Sequence, residues 1–335
     1  MLHTTIKILA GVWLALLCVS AQALEHKRIC TWDPLGQTGP VMSFMHGVVP
    51  VAMSWGLALD LEVYPDELKA VEELKSGKCD MIIITAISAR NIIQEGGTLD
   101  AMGAILTQQM LHKLLKAIAE PGATEMLTVG PYEMAISLPV GAMYAFVNDR
   151  EKIKSIDDFR YKRVAVINGD VQVKRLATMA GATPVDVSLS TFSRAFHEGK
   201  VDIVFMPASA FEAFELHKVP GGKGGVLDVP FFYGMIQGLS IRERFRDDFG
   251  QLMRGWMVSQ MERAMANVNQ AENTIPAWHW IKTSQKVRND LQDFSKEIRL
   301  ELMAEHRFSN KALALLWKIR CSDTPNLHEC ELASR

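Results

Sequence analysis

Short apolar runs alternate with amphipathic stretches along this chain, and Gly or Pro marks nearly every change. Arg28-Ile-Cys-Thr-Trp32 reads as a first strand, ended by the turn-forming Asp33-Pro34-Leu35-Gly36. Pro40–Trp55 is long and apolar and fits a helix, with Gly56 free to cap its end. Leu59-Asp-Leu-Glu-Val63 alternates as a half-buried strand does. Pro65 opens the next segment, where Leu68, Val71 and Leu74 recur at helical spacing across Asp66–Ser76 before Gly77. Cys79-Asp-Met-Ile-Ile-Ile-Thr85 is a short continuous apolar run of the kind found in buried parallel strands. Residues 28–85 therefore predict β-α-β-α-β.

The same order returns in the middle of the chain. Arg163–Ile167, Pro184–Val187 and Val201–Phe205 read as strands, and Asp170–Met179, Thr191–His197 and Pro207–Leu216 as helices. Gly181 and Gly199 end the first two of these helices. Between the two units, Tyr132–Val147 is rich in apolar and aromatic residues and reads as strands crossing between lobes, and Phe231–Ile241 carries the chain back. Arg244–Val268 and Val287–His306 read as long helices and Leu313–Ile319 as a short one. Pro220-Gly-Gly-Lys-Gly-Gly225 fails the phosphate-loop pattern, because Gly224 follows Lys223, and reads as a surface turn. The expected fold class is α/β with two lobes and a helical C-terminal segment. Lobe I takes residues 24–138 plus 235–335, and lobe II takes 139–234.

The N-terminus changes the compartment. Lys7, an apolar stretch from Ile8 to Val19, and Ser20-Ala21-Gln22-Ala23 form the three parts of a cleaved secretory signal over residues 1–23. The apolar stretch is short for a membrane span. Loss of the signal removes Cys18 and leaves Cys30, Cys79, Cys321 and Cys330. An even number of cysteines in an oxidising compartment favours disulfides. Cys321 and Cys330 flank a Pro-containing turn, and Cys30 and Cys79 sit near the starts of the first and third strands, so those pairings are favoured. Free buried thiols are the alternative. A zinc site would want the C-x-x-C pairs that this chain lacks.

Composition narrows the partners. Apolar residues make up 48% and charged residues 22%, the balance of an ordinary folded protein. With 36 Lys+Arg against 38 Asp+Glu, the net charge of −2 offers no basic excess to grip phosphate backbones, so nucleic acid is not an expected partner. There is no G-x-S-x-G elbow and no H-E-x-x-H, and the nine His are scattered without metal-ligand spacing. The chain reads as a binding protein rather than an enzyme, with no cofactor and no metal.

Several stretches carry a resemblance. Ile156-Asp-Asp-Phe159, Arg163-Val-Ala-Val166, Gly181-Ala-Thr-Pro-Val185 and Phe196-His-Glu-Gly-Lys-Val-Asp202 resemble the second lobe of the DctP-type binding proteins of TRAP transporters. Leu74-Lys-Ser-Gly-Lys-Cys-Asp80 is an equivalent step in the first lobe. The whole mature chain is similar to a related bacterial solute-binding-protein family without an assigned ligand. The matching stretches are Cys30–Gly36, Gly77–Asp80, Gly97-Thr-Leu-Asp-Ala-Met-Gly103, Gly130–Glu133, Phe146–Arg150, Gly199–Asp202, and Arg320-Cys321 with Glu329-Cys330. The resemblance implies a type II periplasmic-binding-protein-like fold. It also implies capture of a small polar or anionic solute in an interlobe cleft, for a membrane transporter subunit of TRAP-like type. Two departures stand out. The DctP-type proteins place a carboxylate-pairing Arg in the first strand of lobe II, where this chain has Ala165, and the closer family has an Arg near Ser88, where this chain has Arg90.

In open parallel sheets, ligands sit beyond the carboxyl ends of the strands. The candidates are then Asp33 and Gln37 after the first strand, Thr85 and Arg90 after the third, and Asp170 and Gln172 in lobe II. Tyr132 and Glu133 in the crossing segment and Tyr233 and Gln237 in the return segment complete the set. Each has a plainer role open to it. Asp33 and Asp170 can cap a turn or helix, Arg90 can pair with Glu95, and a buried Glu133 would need Arg90 or Arg150. Trp278 and Trp280 read as packing. Two rivals are an envelope protein that kept the fold and lost its ligand, which predicts an apolar cleft, and an enzyme, which predicts a converging acid–base pair.

Overall fold

The computed structural model describes residues 23–331, so the expected export signal, apart from Ala23, lies outside the described residues. The strands are β1 (Glu25–Trp32), β2 (Leu57–Tyr64), β3 (Met81–Thr85), β4 (Thr128–Val129), β5 (Tyr132–Val147), β6 (Arg163–Ile167), β7 (Thr183–Val187), β8 (Ile203–Pro207), β9 (Gly225–Leu227), β10 (Phe232–Ile241) and β11 (Trp280–Ile281). They pair in the order β2-β1-β3-β10-β5-β8-β6-β7, with β4 and β9 also on β5 and β11 on β9. β1 runs parallel to β2 and β3, and β6 runs parallel to β7 and β8. These two parallel groups flank an antiparallel pair, β5 and β10.

That central pair serves both lobes. The early part of β5 pairs with β10, which in turn pairs with β3, and the later part of β5, Met143–Val147, pairs with β8. The β5–β10 register shifts between Gly234 and Met235, where Gly141 and Pro139 stand opposite. A shift of this kind adds twist, so one strand can pass from one lobe to the other. Gly141 takes a φ of +122°, a conformation that favours glycine, at this crossing.

Local chemistry sets the helices. Asp66 caps helix Glu67–Lys75 by accepting from the Leu68 N–H, as Pro65 and the spacing suggest. The expected stripe through Leu68 is corrected by the structure. Leu68 is 68% exposed, and the buried face carries Glu67, Ala70, Glu73 and Leu74. The cause is Glu67, whose carboxylate turns inward to accept from the Thr85 N–H (2.5 Å) and the Ser88 hydroxyl (2.7 Å) and so rotates Leu68 outward. Pro207–Leu216 yields only helix Ala210–Ala213, because Pro207 ends β8. The long helix expected over Arg244–Val268 is two, Phe249–Ser259 and Met261–Thr274, broken at Gln260. Leu313–Ile319 extends to Asn310–Asp323, capped by the Ser309 hydroxyl.

Both cysteine pairs are bonded, with Cα separations of 5.9 Å for Cys30–Cys79 and 5.4 Å for Cys321–Cys330. β1 and β3 are neighbours with Ile29 opposite Met81, which brings Cys79 beside Cys30. The C-terminal helices tie the molecule together. Helix Gln285–Ala304 packs on helix Val171–Met179, where Arg175 pairs with Glu301 and Glu305, and helix Asn310–Asp323 packs on helix Gln108–Ala119.

Candidate functional site

The carboxyl ends of β1, β3, β6 and β8 converge in front of the β5–β10 crossing and enclose a cavity of about 250 Å³. Trp32 and Thr85 come from the ends of β1 and β3, and Phe205 from β8. Ala165 and Ile167 of β6 face it together because side chains two apart share a strand face. Phe232 and Gly234 of β10 follow the same rule, and beyond the register shift Met235 and Ile236 both line the wall. The wall is mainly apolar. Its hydroxyl and carboxylate groups come from Thr85, Asp100, Asp170 and Ser209. This differs from the lining that a polar or anionic solute calls for. A larger outer groove of about 450 Å³ adjoins it and shares Pro40, Val41, Val140 and Ser209, with Ser43, Gln260, Arg263 and Asn267 among its polar residues.

The charged part of the wall has an uneven balance. Asp100 is 4% exposed and accepts from Arg90 Nη2 at 2.6 Å. Arg90 is fixed behind it. Its Nε donates to the Gly97 carbonyl (2.8 Å), and its guanidinium lies 5.0 Å from the centre of the Phe308 ring. Gly97 is required there, since a Cβ would stand 2.4 Å from the Arg90 backbone. Asp170 is equally buried and caps helix Val171–Met179 by accepting from the Gln172 N–H (3.0 Å). Burial pushes the Asp100 carboxyl up to about 7, opposed by Arg90 and reinforced by the nearby Asp170 charge. Burial pushes Asp170 up as well, again opposed by Arg90. Two carboxylates thus share one guanidinium.

Contacts also cross the cleft. Gln172 Oε1 accepts from the Met102 N–H (2.9 Å), and Asn168 Nδ2 donates to Glu67 Oε2 (3.3 Å). Burial holds the Glu67 carboxyl above its ordinary range, against the hydrogen bonds from Ser88 and Thr85.

Of the residues singled out in the sequence, Thr85 and Asp170 line the cavity, and Arg90 and Gln172 stand close behind its wall. Arg90 pairs with Asp100, not with Glu95. Asp33 is fully buried and accepts from the backbone N–H groups of Leu35, Val41 and Met42, which makes it the cap of helix Pro40–Ser54. Gln37 is exposed in the preceding turn. Tyr233 and Gln237 alternate with the lining positions Phe232 and Ile236 and do not line the cavity. Burial and Glu272 push the Tyr233 hydroxyl up to about 12, and Gln237 Nε2 donates to the Gly96 carbonyl (2.5 Å). Tyr132 and Glu133 lie at the far end of β5. Glu133 pairs with Arg254 at 2.9 Å, and neither Arg90 nor Arg150 is its partner. Trp278 is 61% exposed, while Trp280 packs edge-on against Tyr144. Sequence reasoning passed over Asp100, although it stands inside the Gly97–Gly103 stretch that carried the resemblance.

Comparison with known proteins places this geometry. The profile of the family described as "Solute-binding protein AdeT 1/2" matches residues 45–335. "Probable solute-binding protein AdeT1" of Acinetobacter baumannii is 31% identical over 301 residues, covering 90% of this chain and 99% of its own. AdeT2 of the same organism is 24% identical over 237 residues, covering 71% of this chain and 99% of its own. Among solved structures, a TRAP periplasmic solute-binding protein from Desulfovibrio salexigens with bound orotic acid superposes with a TM-score of 0.72 at 11% identity, covering 88% of this chain and 97% of that one. One from Chromohalobacter salexigens with bound D-glucuronate gives 0.70 at 13% identity, covering 88% and 98%. The two-lobe α/β architecture expected from the sequence is therefore that of the TRAP-type binding proteins, and the chain belongs to the AdeT 1/2 solute-binding protein family.

Proposed function

We propose that this is an exported periplasmic protein that captures a small solute in its interlobe cavity and delivers it to a TRAP-like membrane transporter. The observation that carries the reading is the cavity itself, enclosed by strand ends from both sides of the β5–β10 crossing. Lobe I comprises residues 24–138 with 235–335, lobe II comprises 139–234, and β5 and β10 form the hinge between them. Thr85 and Asp170 touch the solute, and Arg90 and Gln172 hold the wall behind it. A thermal-shift screen of small metabolites on the purified mature protein tests this. A binder raises the melting temperature through its preference for the folded state, and no stabilisation by any chemical class overturns the reading. Recovery of the mature protein in the periplasmic fraction tests the export step.

The apolar lining favours a second reading, an envelope protein that retained the fold and lost its ligand. Stabilisation by any cavity-sized solute excludes it.

A further inference from the structure

Resting on the solute-binding reading, we propose that the inner cavity selects a small amphipathic cation, an aromatic or branched apolar body bearing an ammonium group, over an organic acid. Four observations lead there. First, among the described residues, the side chains that face the cavity include two carboxylates, Asp100 and Asp170, and no Lys, Arg or His. Arg90, which balances one of them, is held behind the wall by Gly97 and Phe308. A ligand cation would supply the missing counter-charge, and charge pairs away from water are strong.

Second, the N-termini of the two longer helices at the wall are already occupied. Helix N-termini attract anions through their free N–H groups and dipole. Helices Pro40–Ser54 and Val171–Met179 both begin at the cavity wall, and each is already capped by a carboxylate of this chain, Asp33 or Asp170. Third, β6 presents the methyl group of Ala165 to the cavity, which offers an anion nothing. Fourth, Trp32, Phe205, Phe214 and Phe232 contribute aromatic rings suited to an apolar body and to a cation over a ring face. An apolar cavity of about 150 Å³ holds a benzene molecule. The cavity of about 250 Å³ therefore takes one ring with a short substituent.

The test is calorimetric titration of the disulfide-bonded mature protein, at neutral pH, with three compounds of one skeleton: phenethylamine, 2-phenylethanol and 3-phenylpropionate. The amine should bind at least about tenfold more tightly than the acid, with the alcohol between. Asp170→Asn should remove most of that preference, with the amine losing several-fold more affinity than the alcohol. Asn still caps a helix, so this variant keeps the test valid if Asp100→Asn does not fold. Ala165→Arg should reverse the preference toward the acid. Equal or tighter binding of the acid overturns the inference, and loss of that acid binding in Arg263→Gln would move the site to the outer groove. Silence with all three compounds, alongside stabilisation by sugar acids or other carboxylates, overturns this inference and leaves solute binding standing. Silence with every solute overturns both.

Discussion

Two buried charge centres in this molecule follow opposite rules. Arg254 and Glu133 form a one-to-one pair, both nearly inaccessible, and Arg254 also donates through Nη1 to the Met134 carbonyl and through Nη2 to the Thr124 hydroxyl, with only Nε unpartnered among the described residues. Arg90 instead pairs with Asp100 alone while its charge also acts on Asp170, and both of those carboxyl groups face a cavity. The first centre is charge-balanced and lies away from the cavity lining, so its work is structural. The second sets two buried carboxyl groups against one guanidinium beside a cavity, so it lacks a second cation once both are ionised. Isolated burial of charge is costly, and a balanced pair with its hydrogen bonds filled avoids that cost. Where the balance is left open at a cavity wall, a ligand can close it.

The largest effect that separates the two centres should come from Arg254→Leu. Breaking a buried pair from one side costs about 3–5 kcal/mol. Urea denaturation should show that loss, with the solute affinity of the folded protein unchanged. Altered affinity would break the comparison. Next comes pH. The folded Asp100 carboxyl holds its proton up to about 7, against 3.8 ordinarily, with Arg90 and Asp170 as the charges that face it. Its contribution to stability is present in full below about pH 4 and is lost as pH rises toward 7. Melting curves should fall across that window in the parent protein and fall less in Asp100→Asn.

The third test concerns what holds the open centre in place. Glu329 sits beside the Cys321–Cys330 bond and pairs with Arg299 (2.9 Å) and Arg320 (2.6 Å). Those guanidiniums donate to the Met102 and Gly103 carbonyls, in the segment that carries Asp100. Replacing both cysteines by Ser should cost about 2–3 kcal/mol for so short a loop. It should also weaken solute binding, which Arg254→Leu does not. An unchanged affinity would show that the C-terminal clasp is independent of the cavity. The smallest stability change belongs to Asp170→Asn, within about 1 kcal/mol because Asn caps nearly as well. Its effect should appear in ligand selectivity, and a loss well beyond that range would make Asp170 a structural residue like Arg254.

Much of the fold was legible along the chain because strand and helix periods are local properties. Both β-α-β-α-β units, the crossing segment and the two cysteine pairings followed from spacing and turn residues. Helix Gln108–Ala119 has a clear apolar face at Met110, Leu111, Leu114, Leu115 and Ile118, and its period was available but not used. Leu68 misled because hydrophobicity alone says nothing of where a hydrogen-bonded Glu67 must point. Of the candidates placed after strand ends, Thr85 and Asp170 line the cavity. Tyr233 and Gln237 lie on a strand that lines the cavity but are not among its lining residues, and the register shift near Gly234 is a tertiary feature that no local pattern shows.

The sequence by itself determined the order of strands and helices, the family, and a near-neutral net charge. These depend on local period, motif order and total charge. Only the tertiary structure decided that Glu133 belongs to Arg254, that Arg90 stands behind Asp100, and that Ala165 faces an apolar cavity. The physical reason is distance along the chain. Glu133 and Arg254 are 121 positions apart, and Gln172 and Met102 are 70. No local pattern specifies which buried charge meets which, and it is that pairing, not the net charge of −2, that sets the sign of the site.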